Sequence, residues 1–302
     1  MFDRFLYIIV FIVFALQTMI SCTCSRTRPD DFVIPDSIHD VSPEMLHDLS
    51  DDIVDNLSSS IETASLFKSL DVPFSQKYLA STKNISDYHT ACDKAFNLGV
   101  FGADLGYLNM YGKTSMVSVY VLAMKNLADG ISIGQFFNYA TLKRLSDNNE
   151  NIDSLIYISQ QSFNRMDRYL RQSGRGNLSV VMICGVWIEA LHLSCRFYVE
   201  TANVRLAETI GEQKIMLAEL VRMLQLYRNR EETAALAEAL TLLQNAYEPI
   251  EISVQAGDLD RIEQDGNLRI VQNETTVVHY TGEQIDEIVR TVELVRNKLI
   301  RQ

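Results

Sequence analysis

The chain has 302 residues, 39 acidic against 27 basic side chains, a net charge of −12 and 47% hydrophobic content. Such an acidic balance with no basic patch excludes nucleic acid and anionic headgroups as partners, because like charges repel. The apolar share is enough for one large core or two modest ones.

The N-terminus reads as a leader. Arg4 precedes an apolar run from Phe5 to Leu16, and Met19, Ile20 and Ser21 lead into Cys22. This arrangement resembles a bacterial lipoprotein signal, with residues 1–21 removed and Cys22 becoming the lipidated first residue. The run falls short of the roughly 20 apolar residues needed to cross a bilayer, which argues against an uncleaved anchor. Residues 22–40, with Pro29, Pro35 and the pair Asp30 and Asp31, read as a flexible tether. The expected organisation is therefore signal 1–21, tether 22–40 and a helical domain 41–302.

From Ser42 onward the pattern is helical. Ser42 followed by Pro43 predicts a helix over 42–69, and further helices are expected near 86–111, 115–128, 132–146, 152–172 and 178–202. Leu206, Ile210, Leu217, Leu220, Leu224 and Tyr227 mark the apolar stripe of the next. Asn229 with Glu232 predicts the cap of a helix carrying Leu236, Leu240, Leu243 and Tyr247. After Pro249 the helical period is lost, and Arg269 to Tyr280 predicts a short hairpin around Asn273 and Glu274. Thr281 with Gln284 opens a terminal helix whose Ile285, Ile288, Val292, Val295 and Leu299 face one way. The expected fold is an all-α bundle of eight or nine helices, with a small hairpin-like segment at 250–280 before the C-terminal helix.

Two stretches carry candidate binding residues. On the helix at 86–111, Ala91, Ala95, Gly99, Gly102 and Gly106 fall within an arc of about 80°. Each glycine inside a helix costs roughly 1 kcal/mol relative to alanine, so the row asks for a compensating contact. Close approach of a neighbouring helix is the simplest answer, and a groove for a small apolar ligand is the other. Asp104 projects to the opposite side, which predicts that it faces water or a second layer. On the apolar helix around Trp187, the residues Glu189, His192, Arg196 and Glu200 form one polar stripe. It reads either as a solvated edge with an Arg196–Glu200 pair or as an interior network lining a pocket.

Glu189 and His192 also have the i,i+3 spacing of helical di-iron sites, as do Glu44 and His47. Glu44 stands at a helix start, so no metal or cofactor is expected. The cysteines show no C-x-x-C metal spacing. Cys184 and Cys195 lie about 16 Å apart along one helix, too far for a disulfide, and read as small core residues. H-E-x-x-H and a phosphate loop of the G-x-x-x-x-G-K-S/T spacing are absent from the sequence.

The stretches Asn97 to Tyr107 and Val186 to Leu191, together with Ser21 and Cys22, resemble a family of uncharacterised, largely helical lipoproteins of Bacteroidota, over roughly residues 40–230. The resemblance implies an address and a fold and carries no activity. Where that family commonly has an aromatic residue this chain has His192, which weighs against a shared metal site there.

The expectation is a lipid-anchored protein of the cell envelope, on the outer membrane facing the periplasm. It would act as a binding or scaffolding module for an envelope partner or small apolar ligand, with Gly99, Gly102, Gly106, Glu189, His192 and Arg196 as candidate ligand-binding residues. The alternative is a metal- or cofactor-dependent helical enzyme using Glu189 and His192.

Overall fold

The computed structural model describes residues 67, 69–137, 152–227, 233–264 and 267–300, with the backbone alone at 152–160 and 256–275. The leader, Cys22, the tether, most of the expected first helix and the Asn229–Glu232 cap lie outside the described residues. All described residues belong to the unit Ser42–Gln302.

Residues 71–90 form a strap of extended chain with 3-10 turns at Gln76–Tyr78 and Thr82–Asp87. Helix α1 (Ala91–Met110) follows. Its start lies later than the Ser86 expected from sequence, because Thr90 and Asp93 form the capping box. The Asp93 N–H donates to Thr90 Oγ1 at 2.9 Å and the Thr90 N–H to Asp93 Oδ2 at 3.2 Å, satisfying two donors that helix geometry leaves open. Then come α2 (Thr114–Gly130), α3 (Ile152–Gln172), α4 (Gly176–Thr201), α5 (Val204–Gln225) and α6 (Ala234–Tyr247). Where a helix over 132–146 was expected, the described part is a 3-10 turn, Gly134–Phe137.

The β segment is larger than its sequence reading. Strand β1 (Glu251–Gln264) pairs antiparallel with β2 (Asn267–His279), from Glu251 opposite His279 to Gln264 opposite Asn267, with a register shift between Ala256 and Leu259. Asn273 and Glu274 therefore sit inside a strand, and the last described pair is Gln264 opposite Asn267. Val278 and Ile252 join the base of the hairpin to the core, and an added Cβ at Gly211 of α5 would lie 2.6 Å from Val278 Cγ1. Helix α7 (Gly282–Ile300) closes the bundle. Its Thr281–Gln284 box forms as expected, with Thr281 N donating to Gln284 Oε1 at 2.7 Å. The architecture is an all-α bundle with a two-stranded sheet before the terminal helix.

Helix α4 is the hub, packed by α1, α3, α5 and α7. It is long and apolar enough to span a bilayer by composition, yet 89% of its most apolar window is buried inside the bundle. Apolar residues on nearly every face suit a helix with neighbours on all sides. Phe96 and Gly99 of α1 meet Met182 to Val186 of α4, and Tyr107 meets Phe197, so the two helices run in the same direction. Cys92, Cys184 and Cys195 are buried in this core without a disulfide among them. Burial pushes the thiols of Cys184 and Cys195 up to about 12, so both stay neutral.

Candidate functional site

The glycine row divides into three environments. A Cβ at Gly99 would stand 2.1 Å from the Met182 carbonyl oxygen, so the backbone of α4 occupies that space. Gly185 of α4 answers from the other side, its position for a Cβ lying 2.1 Å from the Phe96 oxygen. At Gly102 the Phe163 ring of α3 fills the space, 2.3 Å from the added carbon. Nothing lies within 4 Å at Gly106, which is exposed. Close helix approach thus accounts for Gly99, a side chain for Gly102, and neither for Gly106.

The polar stripe of α4 does not form a solvated edge. Glu189 is fully buried and His192 nearly so, while Arg196 is half-buried and Glu200 exposed. The row therefore descends from surface to interior. Glu189 is gripped by Arg296 of α7, with Nε donating to Oε2 at 2.6 Å and Nη2 to Oε1 at 2.7 Å. This two-pronged geometry suits a guanidinium and a carboxylate. Arg196 pairs with Glu293 of α7 at 3.3 Å and Glu200 accepts from Tyr78 at 2.9 Å, so the expected Arg196–Glu200 pair is replaced by partners from other elements.

Asp104 is also fully buried, and of the two settings expected from the sequence, water or a second layer, it takes the second layer. That layer is the strap. Asp104 Oδ2 accepts from the Ala80 N–H at 3.0 Å, the Tyr120 hydroxyl donates to the Ala80 carbonyl at 2.6 Å, and Arg296 Nη2 donates to the Tyr78 carbonyl at 3.2 Å. Farther along, the Ser75 N–H donates to the Tyr107 hydroxyl at 2.9 Å and Tyr111 donates to the Val72 carbonyl at 2.5 Å. The strap has little regular structure, and side chains of the bundle satisfy its backbone groups as a sheet ladder would elsewhere.

Burial and the neighbouring Glu189 charge hold the Asp104 carboxyl well above the usual carboxylate range. As the neutral acid it can donate to Glu189. Burial, with Arg296 and Arg196 nearby, lowers His192 to about 2, so its imidazole is neutral. Both ring nitrogens lack a hydrogen-bond partner; the Tyr78 carbonyl is close but out of bonding geometry. Chemically the cluster is a charge-compensated interior: one arginine against one carboxylate, with a neutral acid and a neutral imidazole beside them. Among the described residues no group of three His, Cys, Asp or Glu is placed to hold a metal ion.

A cleft of about 370 Å³ opens between the strap and α2. Leu79, Met116, Val119 and Tyr120 give it an apolar wall, and Ser81 and Lys83 stand among its polar lining. Val119 and Leu122 continue the apolar surface outward on α2 at 53% and 60% exposure.

Sequence reasoning missed Arg296, Tyr120 and the strap. Arg296 was visible in principle: it lies four positions after Val292 and seven after Val289, on the buried face of α7, where an arginine demands a partner. Asn97, Phe101, Asp104 and Leu108 likewise form a second fully buried row on α1. No family model, curated protein or solved structure matches the chain.

Proposed function

We propose that this chain is a lipid-anchored protein of the cell envelope that works as a binding or scaffolding module and not as an enzyme. The observation that carries the reading is that both carboxylate oxygens of Glu189 are taken by Arg296. The acid that a di-iron or general-base role would need is spent on joining α4 to α7. Support for the address comes from the sequence around Cys22. Support for binding comes from the strap–α2 cleft, whose volume lies in the range of about 300–1,000 Å³ typical of small-molecule sites. An apolar wall with Lys83 and hydroxyls at its rim suits an amphipathic molecule or partner segment.

Labelling with a fatty-acid analogue tests the anchor: incorporation abolished by Cys22→Ser is expected, and incorporation that survives it would overturn the assignment. Protease treatment of intact cells tests the face, with protection of the bundle expected for an outer-membrane protein turned toward the periplasm. Native mass spectrometry of protein purified from its own membrane tests binding. A co-purifying molecule lost on Val119→Glu is expected. Stoichiometric iron or zinc that disappears on His192→Ala would replace this reading with that of a metalloenzyme.

A further inference from the structure

Five buried side-chain atoms among the described residues have no hydrogen-bond partner, and three of them belong to two residues one turn apart on α4: His192 Nδ1 and Nε2 and Arg196 Nε. Native folds satisfy nearly all such atoms, so three on neighbouring residues require a common explanation. His192 and Arg196 stand one turn apart on α4, and both His192 and Asp104 lie in the field of the Arg296 guanidinium. The set combines a guanidinium donor and an imidazole that offers one donor and one acceptor. A molecule satisfying it must donate and accept at once, carry no charge and be small. The charges present are already matched, Glu189 by Arg296 and Arg196 by Glu293, so an ion has nothing to neutralise.

We propose that the seam beneath the strap is an internal hydration site, in which ordered water joins the Arg196 Nε–H to the His192 ring under the Tyr78 carbonyl. Buried water of this kind bonds to two to four polar groups and behaves as part of the fold. The strap then rests partly on water, with its direct bonds to Asp104, Tyr120 and Arg296 on the inner side.

Oxygen-17 relaxation dispersion counts long-lived internal waters in the intact protein. The wild type and His192→Gln, which keeps a donor and an acceptor, are expected to show the same count, and His192→Leu at least one fewer. An unchanged count in His192→Leu would overturn the site. Should that variant fail to fold, a crystal structure of the wild type decides: water-sized density within hydrogen-bonding reach of His192 and Arg196 Nε is expected. A dry seam, or density larger than water, refutes the proposal.

Discussion

The same two parallel helices, α1 and α4, meet in two different ways along their length. Toward their N-terminal ends Gly99 and Gly185 bring backbone against backbone, and no side chain separates the helices there. Toward their C-terminal ends Asp104, Glu189 and His192 face one another's surroundings, with Arg296 and the strap completing the layer. One half is held by dispersion in close packing; in the other, pairing offsets the cost of burying charge. The difference teaches that a packed helix pair can be rigid at one end and chemically sensitive at the other.

The largest effect is expected from breaking the ionic half. Arg296→Met leaves Glu189 buried without its counter-charge and should cost about 3–5 kcal/mol in denaturant unfolding. The double change Glu189→Met with Arg296→Met should recover most of that loss, since a buried ion pair contributes little beyond its own desolvation. A double variant as unstable as the single one would show that the pair does more than compensate itself.

Acidity probes the same half with opposite signs at its two groups. Asp104, raised in the folded state, contributes stability that is complete below its unfolded value and lost as pH rises through its folded value. His192, lowered to about 2, contributes stability that is present above its unfolded value near 6.5 and lost as pH falls. Between the two unfolded values, roughly pH 4 and 6.5, the unfolded chain holds one proton on this pair, on the histidine, and for as long as Asp104 stays neutral the folded chain also holds one, on the aspartate. The pair should therefore give no slope over the part of that window in which Asp104 is neutral. It should cost up to about 1.4 kcal/mol per pH unit on the alkaline side while Asp104 stays neutral, and on the acid side down to about pH 2. Denaturation midpoints against pH check this: Asp104→Asn should remove the alkaline loss and His192→Gln the acid one.

The close-packed half is tested by alanine at each glycine. Gly99→Ala forces backbone apart and should cost about 1–3 kcal/mol. Gly102→Ala should cost less, because the Phe163 ring can turn aside. Gly106→Ala meets nothing and should stabilise by up to about 1 kcal/mol through helix propensity. Thermal unfolding of the three variants would sharpen the contrast, and equal losses at all three positions would erase it.

Much of this fold was legible because helical periodicity survives any tertiary context. The stripes at Leu206 to Leu224, Leu236 to Tyr247 and Ile285 to Val295 are buried as read. The hairpin was misplaced because its strands extend through 256–268, a polar stretch without strong alternation. The site was half legible. Glu189, His192 and Arg196 stand together on α4, but what each does depends on Arg296, about a hundred residues later, and on a strap whose backbone bonds follow no period. Partners far apart in sequence leave no spacing to read, and only an arginine on an apolar face betrays that one exists.

Helix α4 has a further consequence for a chain exported across a bilayer, as proposed here. A segment with its length and hydropathy can partition into lipid during translocation instead of passing through. Glu189 stands near its centre, where a charged residue adds about 2.5–3.5 kcal/mol to the cost of membrane insertion. The carboxylate that Arg296 later neutralises would thus keep the unfolded helix from lodging in the bilayer. Glu189→Leu paired with Arg296→Leu should fold in vitro yet accumulate in the inner membrane in cells, which cell fractionation would reveal.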